Sequence, residues 1–145
     1  MLARLAAFVL GLLAGAMLLI AVGVAPFWQT LPPFAFRGWF GLHAWRIGRL
    51  MRPLGAGAAL VAGVAWIGAW RSSDGRGVWR GVAALAALGV VLVTLAVNEP
   101  ANQLFARPGG LTDEATTALL VSWMHWHWVR VGLGMLGFYA ALCAV

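Results

Sequence analysis

The chain has 145 residues, of which 63% are hydrophobic and 10% are charged, and its net charge is +6 at neutral pH. A soluble domain usually carries about 25% charged residues, so this composition excludes an ordinary soluble protein and predicts an integral membrane protein. The positive charge comes from arginines at the borders of apolar stretches. Such placement favours contact with lipid headgroups and does not indicate nucleic-acid binding.

Four apolar segments are about long enough to cross a bilayer, at about 5–24, 53–70, 81–97 and 116–142. In lipid the backbone must satisfy its own hydrogen bonds, so we expect these segments to be helices. The sequence therefore predicts an all-α integral membrane protein, a single domain over 1–145 built as a four-transmembrane-helix bundle. The expected location is the bacterial inner (plasma) membrane.

An aromatic and basic segment, residues 26–53, joins the first two spans. Arg46, Arg49 and Arg52 follow one another at a spacing of three, which places them near one face of a helix. This pattern is typical of an interfacial helix, and we predict one between helices 1 and 2.

The short loop 71–80 sets the predicted orientation. It carries three arginines against Asp74, and the positive-inside rule then places the N-terminus in the cytoplasm.

With four spans, the end of span one, the start of span two, the end of span three and the start of span four share one membrane face. Most of the unusual polar groups and all three histidines belong to these ends: Trp28, His43, Arg46, Asn98, Glu99, Asn102, His125, His127 and Arg130. We therefore expect any chemistry at this face.

The motif NEPAN follows the third span. Asn98 and Asn102 are four residues apart, so a helix that continues through them aligns their side chains. Pro100 lies between them and lacks a backbone N–H, and we expect it to tighten or kink the helix end.

Residues 123–130 read WMHWHWVR. On a helix, Trp123, His127 and Arg130 share one stripe, Trp126 lies beside it, and His125 points about 200° away from His127. Ionisable residues inside a membrane segment are costly and usually face the bundle interior or a wet cavity. The octet thus predicts a polar, aromatic pocket, closed by NEPAN and by the helix that carries His43.

Four spans in a chain of this length, the N-x-P-x-N motif at 98–102 and the W-x-x-W-[NH]-x-x-R motif at 123–130 resemble the anthrone oxygenase-like membrane family, which is also catalogued as a domain of unknown function. The resemblance implies oxidation of anthrones to anthraquinones by O2 with no cofactor. It implies a small hydrophobic aromatic substrate held by Trp123, Trp126, Asn98 and Asn102. His127 or His43 would be the general base, and Arg130 would stabilise the carbanion and a peroxide anion.

Two other classes of function stay open at this point. One is a haem- or copper-binding redox protein, with His43 and either His125 or His127 as ligands from different helices. The other is a non-catalytic small subunit or scaffold of a larger membrane complex. Our preferred prediction has no metal site, no cofactor and no nucleic acid. Its partners are membrane lipid, the aromatic substrate with O2, and a membrane protein partner or a second copy.

Overall fold

The computed structural model describes residues 1–71 and 75–145, and these residues contain helices and no strand. The helices are α1 (Leu2–Thr30), α2 (Pro33–Arg71), α3 (Gly77–Ala106) and α4 (Asp113–Cys143). The first three are each long and apolar enough to cross a membrane. The all-helical class and the membrane-type helices are therefore confirmed. Asp74, on which the predicted orientation partly relied, lies outside the described residues.

Helix α2 is longer than the sequence suggested. It runs unbroken for 39 residues with Pro53 inside it, so the predicted interfacial helix and the second apolar span are one element. At 1.5 Å per residue its length is about 58 Å, nearly twice the thickness of a hydrocarbon core. A position of its first half along the membrane surface stays a prediction.

Helices α1 and α3 share an irregularity near their C-terminal ends. Each contains one π-helical turn, Ile20–Val24 in α1 and Thr94–Asn98 in α3. A proline follows each turn by two residues, Pro26 and Pro100. We expected the helix end to tighten or kink at Pro100; the structure instead has a wider, π-helical turn just before it. A proline has no N–H to donate and crowds the preceding carbonyls, and the wider turn gives those carbonyls room.

The helices form an up-and-down bundle. Each packs on its neighbours in the chain, and α4 closes the bundle against α1. Small residues allow the close approach of α4. A Cβ at Gly137 would lie 3.3 Å from the Ala86 side chain, and one at Gly134 would collide with the Met17 thioether. This half of the bundle has an aliphatic core.

The other half has an aromatic core, built at the ends that the topology brings together. Trp28 lies against Phe40 and Trp123, and Phe36 packs edge-on against Phe105, with ring centroids 4.9 to 5.5 Å apart. Arg37 ties the start of α2 to α4 through Asp113 and Thr116. His127 and Arg130 lie where the aliphatic and aromatic cores meet.

Candidate active site

A cavity of about 440 Å³ lies where the aliphatic and aromatic cores meet, with walls from all four helices. Its α1 and α4 walls are buried and include Met17, Trp28 and His127. Its α2 and α3 walls include solvent-exposed positions, among them Trp45 and Gln103. The cavity therefore opens sideways between α2 and α3, and its volume is typical of a small-molecule site.

His127 and Arg130 form a hydrogen-bonded pair in the cavity wall. Arg130 Nη2 donates to His127 Nδ1 at 2.6 Å, and Arg130 Nη1 donates to the Thr94 hydroxyl at 3.1 Å. The other imidazole nitrogen, Nε2, lies 3.0 Å from the Met17 carbonyl. The pair thus connects α4 to residues within or just before the π turns of α3 and α1.

These contacts fix the tautomer of His127. A guanidinium only donates, so Nδ1 must accept, and Nε2 must then carry the proton that it donates to Met17. Both ring nitrogens are engaged, and the imidazole is 0% exposed. In this arrangement His127 has no nitrogen open to accept a proton from a ligand.

Trp123 and Asn102 extend the polar wall towards the opening. The imidazole of His127 stacks on Trp123 with ring centroids 4.8 Å apart. The Trp123 indole N–H donates to Asn102 Oδ1 at 2.9 Å, and Asn102 Nδ2 donates to Glu99 at 3.4 Å. Arg52 of α2 closes the chain by donating to Glu99 at 2.5 Å across the opening.

Asn98 lies behind this wall. It is 0% exposed and does not line the cavity. Its amide N–H donates to the Trp123 carbonyl at 3.3 Å, which joins the π turn of α3 to α4. Its Oδ1 is buried without a hydrogen-bond partner. Asn98 therefore positions Trp123 through the backbone of α4.

Two N–H donors on cavity-lining residues are left unpaired. Arg130 Nε and Trp28 Nε1 are both buried without a hydrogen-bond partner. Buried polar groups are normally satisfied, so two unpaired donors on residues of one cavity wall are unusual, although neither atom is exposed to the cavity.

The predicted site residues divide into three groups. The cavity wall contains His127, Arg130, Trp123 and Asn102. Asn98 supports that wall from behind. His43 and Trp126 do not line the cavity: His43 is half-buried, accepts a hydrogen bond from Arg46 and lies against Trp39, and Trp126 is partly exposed on α4.

Sequence reasoning missed part of the wall. Arg52 was grouped with the interfacial arginines, yet it pairs with Glu99 at the opening. Trp45, which lies in the aromatic and basic segment 26–53, also lines the cavity. Thr94 belongs to no recognised motif; it begins the π turn of α3, and its hydroxyl accepts a hydrogen bond from Arg130. The Met17 carbonyl is a backbone group, which no side-chain pattern reveals.

The histidines do not gather at one point. Within residues 1–71 and 75–145, no group of three or more His, Cys, Asp or Glu residues lies close enough to hold a metal ion. His125 is exposed and meets Trp126 edge-on.

A family model described as anthrone oxygenase matches residues 39–140, which is most of the chain. The chain belongs to the anthrone oxygenase family. The family resemblance seen in the two motifs is thereby confirmed. The matched region begins in α2 and ends in α4, so it includes both the NEPAN motif and the WMHWHWVR octet. No curated protein and no solved structure matches the chain.

Proposed function

We propose that this anthrone oxygenase family member is a four-span membrane enzyme that oxidises a flat, hydrophobic, anthrone-like substrate with O2. In the net reaction a ring CH2 group becomes a carbonyl; O2 supplies that oxygen, and its second oxygen leaves as water with the two hydrogens. The observation that carries the proposal is Arg130, a guanidinium buried in the wall of a cavity inside an apolar bundle.

The proposed membrane placement treats α4 as the fourth span. His127 lies about 21 Å from the start of α4 and about 24 Å from its end at 1.5 Å per residue. If the opposite end of the bundle marks one membrane surface, the cavity is near the other. The aromatic core and the first half of α2 then lie at headgroup depth, where Trp and Arg side chains are favoured. A bacterial plasma membrane with a cytoplasmic N-terminus stays part of the proposal.

The proposed chemistry uses the substrate as its own electron source. Loss of a proton from the ring CH2 gives a carbanion that is stabilised by the adjacent aromatic rings and carbonyl and can transfer an electron to O2. Arg130 provides positive charge beside the developing anion, and Asn102 provides a nearby amide. In a site lined by apolar groups such charge stabilisation is worth more than in water. Trp123 and Asn98 hold these groups in place, and O2 reaches the cavity from lipid.

His127 is proposed to act mainly through Arg130, because its Nδ1 accepts from that guanidinium. The base role that the sequence assigned to His127 or His43 stays a prediction. That role requires Arg130 to release His127 Nδ1, or a movement of α2 that brings His43 to the cavity. Glu99 is a third candidate, since its carboxylate lies in the cavity wall.

The test is oxygen uptake by protein purified into lipid nanodiscs, with anthrone as substrate and anthraquinone followed by absorbance. We expect Arg130→Gln to lower kcat about 100- to 1000-fold, the usual effect of losing one group that stabilises transition-state charge. The matched control is Arg49→Gln, which removes an exposed arginine of α2 that does not line the cavity.

Full turnover by Arg130→Gln would overturn the assignment of Arg130. A Soret band, or stoichiometric copper or iron in the purified protein, would instead make the histidines ligands and replace the cofactor-free proposal.

A further inference from the structure

Arg130 is a buried cation whose contacts in the protein are uncharged. It is 9% exposed, and its guanidinium donates to a neutral imidazole and a hydroxyl. Among the described residues no carboxylate lies within ion-pair distance of Arg130. Buried charges in proteins are normally paired, and an isolated charge inside a membrane bundle is more costly still.

Glu99, the acidic residue of the cavity wall, attracts Arg130 electrostatically but forms no direct ion pair with it. Glu99 already accepts from Arg52 through one carboxylate oxygen and from Asn102 through the other. The fixed charges around the cavity are therefore the Arg52–Glu99 pair at the opening and the single cation Arg130 deeper inside. His127 adds none, because its nitrogens are engaged as those of a neutral imidazole.

We propose that the cavity binds its ligand as an anion, a flat hydrophobic molecule with an ionised phenol or enol oxygen placed at Arg130. Both Arg130 and Trp28 line the cavity, and each has an unpaired N–H that can donate to that oxygen once the side chain turns it towards the cavity. The rings occupy the apolar remainder of the cavity, and the ligand's proton passes to the solvent on binding. The inference rests on the proposed function only in taking this cavity as the substrate site.

The test compares 2-hydroxyanthraquinone, which can ionise, with 2-methoxyanthraquinone, whose added methyl group removes both the ionisable proton and the hydrogen-bond donor. Binding to the intact protein in nanodiscs is followed by quenching of tryptophan fluorescence. The state of the bound dye is read from its spectrum, because the phenolate absorbs at longer wavelength than the phenol. The pH is set about one unit below the pKa of the free dye, so that unbound dye is mostly neutral.

We expect the hydroxyl probe to bind as the phenolate and the methoxy probe to bind about 10- to 100-fold more weakly, the range for loss of a charge-assisted hydrogen bond. Arg130→Gln should abolish the phenolate band, Arg130→Lys should retain part of it, and Arg49→Gln should leave it unchanged.

Three results would overturn the proposal: equal affinity for the two probes, a bound hydroxyl probe with the neutral spectrum, or an undiminished phenolate band in Arg130→Gln. The two probes decide the question on the unmodified protein if the Arg130 variants fail to fold. Oxygen uptake separates this inference from the proposed function. Turnover with neutral binding defeats only the anion proposal, and phenolate binding with no turnover on anthrones defeats only the oxygenase proposal.

Discussion

Substitution of His127 separates a positioning role from a proton-accepting role. Asn places a carbonyl oxygen near the position of Nδ1, so His127→Asn keeps an acceptor for Arg130. Gln places an amide N–H near the position of Nε2, so His127→Gln keeps a donor for the Met17 carbonyl and loses the acceptor. Neither amide is a base at neutral pH.

The sizes of the effects follow from the contacts of the imidazole. The bond from Arg130 is charge-assisted, and such bonds contribute about 1.5–3 kcal/mol, which corresponds to about 10- to 150-fold. If His127 acts through Arg130, we expect His127→Asn to stay within about tenfold of full turnover and His127→Gln to lose most of that 10- to 150-fold range. His127→Ala removes both bonds and the stacking on Trp123, and should be the least stable variant and the least active.

The assay is oxygen uptake in nanodiscs at saturating anthrone, with thermal unfolding of each variant as the control for folding. A general base contributes about 100- to 10,000-fold, and loss of one would affect Asn and Gln alike. Equal, large losses in folded His127→Asn and His127→Gln would therefore refute the positioning role and restore His127 as the proton acceptor.

Three further predictions concern the cavity, the packing of α4 and the Glu99 carboxylate at the opening. A Cβ at Gly55, which lines the cavity, or at Gly57, which does not, meets nothing within 4 Å. Gly55→Leu should therefore weaken binding of the hydroxyanthraquinone probe, measured by fluorescence quenching, whereas Gly57→Leu should not. Gly137→Val introduces a clash where α4 meets α3, because a Cβ there already lies 3.3 Å from the Ala86 side chain, and should destabilise the fold by about 1–3 kcal/mol in denaturant unfolding. Glu99→Gln should change stability by less than about 1 kcal/mol, because its partner Arg52 is largely exposed. A large loss of turnover in that variant would identify Glu99 as the proton acceptor.

The sequence predicted at which end of the bundle the candidate site lies. It predicted less well which side of each helix faces that site. The up-and-down order of the four helices brings the ends of α1 and α3 and the starts of α2 and α4 to one end of the bundle, whatever their rotation. The stripe of Trp123, His127 and Arg130 was also predictable, since all three lie on one regular helix. His43 shows the limit, because it lies at the expected end of the bundle but does not line the cavity. Rotation of a helix depends on packing that spacing alone does not determine.

Other parts of the site depend on departures from helical regularity. The spacing of Asn98 and Asn102 predicted two aligned amides, yet Asn98 lies behind the wall and Asn102 within it. The π turn ends at Asn98, so the two residues do not belong to one uniform helix. Pro100 was the visible signal of irregularity, but a proline does not specify whether the preceding turn tightens or widens.

The π turn of α3 also makes the direction of the polar rim insensitive to one residue of chain length. A π turn accommodates one residue more than the α-helical turn it replaces, so the residues after it keep about the orientation they would have in a regular helix. Deleting one residue there, such as Ala96, would therefore leave Glu99 and Asn102 on nearly the same side of α3. The deletion would instead remove the room that the wide turn gives to the carbonyls before Pro100. The extra residue thus relieves the backbone at the proline, and a deletion combined with Pro100→Ala should be better tolerated than the deletion alone.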